Sequence, residues 1–313
     1  MSERLKDTIA ILIAVMLIAN IILGIVTISL NLKKADTFSS GLSGLLGNVG
    51  LINVEGVITS EGSSYYSYVD AEEVARKIKT FAETPTIKAI RINVTSPGGT
   101  VSGAETIVSA LDYAKSKGKK IVVFMKEIAA SGGYYISAPA DYIIASRGTF
   151  TGSIGVIVTS FNIKGLFDKI GIKPYTFKSG EYKDILSPYR EISEPESKLI
   201  QRIIDTYYQR FIEVIMKYRG DKIKKNELLQ IADGRILTEK DALLHKLIDE
   251  VGDEFLVEEV IKNMIKEETI TYVELPDKKG WIKDLLQLAI DKLNLDILIK
   301  PVKNYPQALY IVY

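Results

Sequence analysis

The sequence predicts an α/β fold of parallel strand–turn–helix units, preceded by one transmembrane helix. Three observations predict it. From residue 49 onward, short runs rich in Ile and Val alternate with segments of helical periodicity, and Gly, Pro and Ser punctuate the connections. One unit is complete: a strand over 89–94 runs into Ser96-Pro97-Gly98-Gly99, a helix follows over 102–117, and a second strand begins at Lys120. Such crossovers build parallel sheets with ligands at the strands' carboxyl ends. Finally, residues 8–32 form 25 consecutive uncharged positions dominated by Ile, Leu, Val and Ala, enough to cross a bilayer core with some tilt.

Composition narrows the chemistry. At 313 residues and 47% hydrophobic content the chain can bury a large core. With 40 basic and 39 acidic residues the net charge is +1, so no global field favours nucleic acid and none is expected as a partner. The absence of cysteine excludes a thiol nucleophile, a disulfide framework and a thiolate metal site. The single histidine, His245, lies in a helical pattern over 239–248 and reads as a partly exposed helix residue. A multi-histidine metal centre is impossible, so neither metal nor cofactor is expected, and a base that activates a serine would be a lysine or a carboxylate.

In chain order, residues 1–7 are a polar flank and 8–32 a retained anchor. The apolar run exceeds the roughly 7–15 residues of a cleavable signal, and no small-x-small site follows it. Arg4 and Lys6 before the span balance Lys33 and Lys34 after it, so charge leaves the orientation open. Residues 33–48, with Ser39, Ser40, Gly41, Ser43, Gly44 and Gly47, read as a flexible linker of roughly 20 Å reach. A folded domain over 49–275 follows. It begins with a strand at 51–54, and 56–58 is its continuation or hairpin partner. A helix over 70–81 leads to the unit described above.

The strand after Lys120 then delivers Ser131 to the turn Ala129-Ala130-Ser131-Gly132-Gly133-Tyr134-Tyr135. A helix begins there, and the N–H groups of Gly132 and its neighbours are free to face negative charge. Strands at 142–145 and 154–159, a helix over 163–170 and a short strand at 174–177 precede a Gly/Ser/Pro-punctuated loop over 178–188. Ser193 is the expected N-cap of a helix reaching about 218, with Glu196 at capping-box spacing. Helices over 225–232, 239–245 and 253–266 and a strand within 269–274 complete the domain. The tail, 276–313, carries Trp281, Leu285, Leu288, Ile290 and Leu293 at amphipathic spacing and ends in an apolar segment. It reads as a subunit contact, with association to a membrane surface the alternative.

The chemistry open to this chain is a serine activated by lysine. Burial lowers the affinity of an amine for its proton, and a neighbouring hydroxyl can orient the neutral form. Ser131, Lys183 and Ser153 lie on loops that could meet in this way. Lys178 is the rival base in the same loop as Lys183.

Four motifs in order, Ser96-Pro97-Gly98-Gly99, 129–135, Thr151-Gly152-Ser153-Ile154-Gly155-Val156 and Lys178-Ser179-Gly180-Glu181-Tyr182-Lys183-Asp184, with 52 positions from Ser131 to Lys183, resemble the SppA-type signal peptide peptidases in their short, single-domain form. The resemblance covers about 51–264, including Ala232-Asp233-Gly234-Arg235 and Leu247-Ile248-Asp249-Glu250-Val251-Gly252. It implies a ClpP/crotonase-like fold and a single-pass serine endopeptidase of the cell membrane, its catalytic domain outside the cytoplasm, acting on apolar peptides such as signal peptide remnants. By motif position it implies Ser131 as nucleophile, Lys183 as general base, Ser153 as support for the amine, and N–H groups of Gly98 or Gly99 with Gly132 as oxyanion hole. It further implies assembly into a homo-oligomeric ring. The alternatives are a stomatin-associated type of membrane Ser-Lys protease, a crotonase-fold acyl-CoA-binding enzyme, and a non-catalytic membrane scaffold.

Overall fold

The computed structural model describes residues 47–60 and 68–277. The expected anchor at 8–32 and the tail from 278 lie outside those residues. Among the described residues no helix is long and apolar enough to cross a membrane.

The α/β expectation holds. The central sheet begins with β1 (Val49–Glu55), β4 (Ala89–Ser96) and β5 (Lys120–Ala130), which pair in parallel register from Val49 to Ala89 to Lys120. β10 (Tyr272–Glu274) adds to the outer edge of β1, and β6 (Tyr142–Ala145) followed by β9 (Glu250–Val251) extends the other side. Between the strands run α1 (Ala71–Glu83), capped by Asp70, and α2 (Val101–Ser116), capped by Thr100. These two helices pack against each other. On the opposite face α8 (Glu254–Ile265) lays Val257 and Ile261 on Val49, Ala89, Val122, Phe124 and Ile144. Cover on both faces explains why β5 opens as a continuous apolar run, Ile121 to Met125, rather than an alternating one.

β5 is the strand that makes the site. Beside β6 it pairs through Val122 to Met125, and further on it pairs instead with β7 (Phe150–Gly152) through Ile128 to Ala130. The change of partner falls at a bulge, where Met125 to Ala129 on β5 spans only Val94 to Ser96 on β4. A bulge bends and twists its strand, and here it turns the last residues of β5 out of the main sheet. β8 (Ile236–Thr238) closes the outer edge of β7 antiparallel.

Two strand expectations are corrected. Residues 154–159 form no strand, because β8 already occupies the free edge of β7 and the chain leaves the sheet after Ser153; Ile157 is 79% exposed. Residues 174–177 likewise have no neighbouring strand, and Phe177 is 96% exposed. The segment 56–58 is not a hairpin arm: β2 (Val57–Thr59) pairs in parallel with β3 (Tyr68–Asp70) and bridges Ile58 to Gly99.

The remaining helices are α3 (Gly132–Ser137), α4 (Lys164–Ile170), the 26-residue α5 (Glu194–Arg219) with the expected Ser193–Glu196 capping box, α6 (Lys225–Ile231) and α7 (Glu239–Leu244), which ends at His245. At the end of α5, Arg219 is 1% exposed and donates to both oxygens of Asp249 (2.9 and 3.0 Å) and to the Lys246 carbonyl (2.9 Å). The carbonyl of Leu247, next in the chain, accepts the hydroxyl of buried Tyr134 at 3.0 Å. Burial drives the Tyr134 hydroxyl far above its ordinary pKa, so it stays a neutral donor. The buried ion pair is thereby joined to α3, the helix that starts at Ser131.

Candidate active site

Ser131 occupies the junction of β5 and α3, half-buried, with φ 52° and ψ −119°. Its N–H donates to the Gly152 carbonyl (2.9 Å) and its own carbonyl accepts the Tyr135 N–H (2.9 Å). Sheet and helix thus hold it from both sides in a conformation that costs a non-glycine residue on the order of 1–3 kcal/mol. Ordinary caps in this chain look different. Asp70, Thr100, Ser193 and Thr238 all have extended backbones and accept a hydrogen bond from the helix N3 residue, as capping requires. Ser131 has neither feature, and its hydroxyl makes no capping bond. A cap role does not account for it.

The Ser96–Gly99 turn lies against this serine. A Cβ on Gly98 would stand 2.9 Å from Ser131 Cβ and 3.1 Å from its Oγ, at a φ of 115°. Buried Ser96 organises the turn: its hydroxyl donates to the Gly56 carbonyl (2.6 Å) and accepts the Gly98 N–H (3.2 Å). The sequence motif contained Ser96 without assigning it that task; its one signal was a hydroxyl at the strand end, directly before the Pro-Gly-Gly turn. Because Gly98 N–H is already taken, Gly99 is the better of the two oxyanion candidates. The N–H groups of Gly99 and Gly132 have no backbone acceptor among the described residues, and Gly99 N is only 3.1 Å from where a Cβ on Gly132 would lie.

Gly99 is fixed from behind. Ile58 N–H donates to the Gly98 carbonyl and Thr100 N–H to the Ile58 carbonyl, both at 2.8 Å. An added Cβ at Gly99 would fall 1.9 Å from Ile58 O. In Gly99→Ala this contact must displace the turn, and kcat for peptide hydrolysis should fall roughly 100- to 1,000-fold, the loss typical of one oxyanion donor. Steady-state kinetics on variant protein whose circular dichroism matches wild type would check it; a loss below tenfold counts against Gly99.

Ser153 is brought alongside by strand register. Ala130 pairs with Gly152, so the next residues, Ser131 and Ser153, leave neighbouring strands side by side. Thr151 Oγ1 donates to the Ala129 carbonyl (2.7 Å), and Ser153 N–H to the Arg235 carbonyl (2.8 Å) at a φ of 48°.

Lys183 is placed differently. It lies in an exposed turn, its N–H donating to the Gly180 carbonyl (3.2 Å), and among the described residues no hydrogen bond joins its side chain to Ser131 or Ser153. Lys178, the rival, is engaged: its Nζ lies 2.7 Å from Asp184 Oδ1 and 2.7 Å from the Glu181 carbonyl. Both lysines belong to an arm over 155–192 that closes on itself. Phe167 stacks on Tyr189 with ring centres 5.2 Å apart, and Ile163 N–H donates to the Pro188 carbonyl (2.8 Å). The arm leaves Ile157, Phe161, Tyr175 and Phe177 among its exposed apolar side chains.

A serine hydroxyl free of structural duty, at the carboxyl end of a parallel strand and beside two unengaged N–H groups, is equipment for acyl transfer. It defines a serine hydrolase on an α/β scaffold. Residues 113–271 match peptidase family S49, and the chain belongs to that family of serine peptidases. Among its relatives, a putative signal peptide peptidase SppA of Enterococcus faecium is 35% identical over 223 residues, which are 70% of this chain and 63% of that protein, less than two thirds of its length. A putative protease of Synechocystis sp. is 34% identical over 228 residues, 73% of each. The solved structure of a membrane-bound stomatin-specific protease in complex with a substrate peptide shares the fold, with a TM-score of 0.51 at 19% identity over 78% of this chain and 98% of that one.

Proposed function

We propose that this protein is a membrane-anchored serine endopeptidase that cleaves apolar peptides, signal peptide remnants among them, by acyl-enzyme hydrolysis. The observation that carries the reading is Ser131: a serine held at positive φ, released from capping, against the Ser96–Gly99 turn. The scaffold is read as ClpP/crotonase-like. Membership of a peptidase family supports hydrolysis over the acyl-CoA alternative, and the name of the Enterococcus relative supports the substrate class. The anchor is the uncharged span 8–32, with the domain outside the cytoplasm.

In this reading neutral Lys183 takes the proton of Ser131 Oγ, which attacks the scissile carbonyl. The oxyanion is received by the N–H groups of Gly99 and Gly132. The protonated amine returns its proton to the departing amine of the peptide, and an acyl-enzyme remains. Lys183 then deprotonates water, which releases the acyl group and restores Ser131. Ser153 orients the Lys183 amine. Because Lys183 stands on an exposed arm with an uncovered apolar surface, the dyad is completed when chains assemble in a ring and the arm is buried; burial of the amine favours its neutral form.

The test is chemical. Full-length protein in detergent, treated with a fluorophosphonate and digested, should carry the label on the peptide containing Ser131, and should hydrolyse an apolar fluorogenic peptide until labelled. A label on another serine, or none on active protein, would overturn the assignment.

A further inference from the structure

We infer that Arg190 is a positioning residue for the general base: a guanidinium clamp that occupies Asp184, so that Lys183, the next residue before it, is left without a carboxylate partner. The inference rests on the reading of Lys183 as base. The loop holds two lysines and one largely enclosed carboxylate, Asp184, whose side chain is 13% exposed. Arg190 Nε donates to Asp184 Oδ2 (2.9 Å) and Nη2 to Oδ1 (2.8 Å), while Lys178 takes Oδ1 at 2.7 Å. Both carboxylate oxygens are therefore engaged by cations other than Lys183. The same guanidinium reaches Glu196 with Nη1 (2.8 Å) and Nη2 (2.5 Å). Glu196, 4% exposed at its side chain, also accepts the Ser193 N–H at 2.9 Å. One planar fork thus ties the base loop to the first turn of α5, a geometry open to Arg and not to Lys.

The electrostatic consequence has a definite sign. A carboxylate left facing Lys183 would stabilise its ammonium form, and a protonated amine cannot accept the Ser131 proton. Arg190 and Lys178 balance Asp184 and Glu196 one for one. Hydrogen bonds from Arg190, then Lys178, hold Asp184 well below the usual carboxylate range, and those from Arg190, with Ser193, bring Glu196 down to about 2. Both carboxylates therefore stay ionised at any working pH. Other charged groups nearby are Glu181 and Glu191 on the loop, the Lys164–Asp168 pair and Lys169 on α4, and the Glu194–Lys198 pair on α5.

The experiment is the pH profile of kcat/KM, from pH 5 to 10, for full-length protein and four variants. In Arg190→Gln the acid limb should move up by about one pH unit, giving about a tenfold loss near neutrality that is recovered at alkaline pH. Arg190→Lys should restore the limb without the full plateau, since it returns charge but not the fork. Asp184→Asn should move the limb the opposite way, and it decides the matter if Arg190→Gln does not fold. A limb that stays in place in both Arg190→Gln and Asp184→Asn, whatever happens to its height, overturns the clamp. Lys183→Ala separates the two ideas: if it is inactive and the limbs are unshifted, only the clamp fails, whereas an active Lys183→Ala removes the base assignment and the clamp with it.

Discussion

Ser131→Ala is expected to lower peptide hydrolysis on the order of ten-thousand-fold or more, the scale seen when a catalytic serine is removed. A second substitution distinguishes catalysis from structure. Ser131 sits at φ 52° without a capping bond, so Ser131→Gly removes the penalty of that backbone conformation and should raise the melting temperature while it abolishes activity. A gain of about 1 kcal/mol is reasonable, because the relief of a positive φ is partly offset by the greater freedom of glycine in the unfolded chain. A structural serine would behave in the opposite way, with stability lost and turnover kept. Calorimetry and initial rates on the same preparations read both quantities, and more than one percent residual turnover in either variant would exclude Ser131 as nucleophile.

Lys183→Ala should be comparably damaging, while Lys178→Ala should keep activity within about tenfold. The difference follows from their partners. Lys178 is committed to Asp184 and to a backbone carbonyl, whereas the Lys183 side chain has no hydrogen-bonding partner among the described residues. Because the base must be neutral, wild-type activity should rise with pH as the amine loses its proton, and the rise should be absent from the residual activity of Lys183→Ala. Equal losses in the two variants, or a profile unchanged by Lys183→Ala, would place the base elsewhere.

The sequence made some of this legible and concealed the rest for physical reasons. β5 was readable because a strand covered on both faces is apolar over Ile121–Met125, β4 because Ile90, Ile92 and Val94 alternate with polar residues, and the turns beside them because tight turns favour glycine. The N-cap at Ser193 was readable because capping uses few residue types. β7, β8 and β9 were not, since two or three residues such as Phe150-Thr151-Gly152 carry no periodicity, and their strand state comes from neighbours distant in sequence. Residues 154–159 and 174–177 misled for a more informative reason. Apolar β-branched and aromatic runs suit a sheet interior, yet Ile157 and Phe177 are turned outward. The same ambiguity concerns Lys183: its motif position implies a base, but no spacing could show that its side chain makes no hydrogen bond to Ser131 or Ser153 among the described residues. Within the Ser96–Gly99 turn, sequence left Gly98 and Gly99 equivalent as donors, and only the Ser96 hydroxyl separates them.

The short connection between β6 and β7 sets limits on how this chain can change in length. Only Ser146 to Thr149 separate the two partners of β5. That turn is pinned to the bulge by Ser146 N–H donating to the Met125 carbonyl (2.8 Å) and by the Thr149 hydroxyl donating to the Lys126 carbonyl (2.5 Å). One residue inserted at Arg147 or Gly148 would slip β7 along β5 and exchange its faces, so that Ser153 would be withdrawn from Ser131 although every catalytic residue type was retained. Gly118, between α2 and β5, has nothing within 4 Å of an added Cβ, and its turn joins elements whose register is fixed independently. Insertions should therefore be tolerated at the turn before β5 and not at the turn after β6, an asymmetry that can guide where a tag or a reporter is placed.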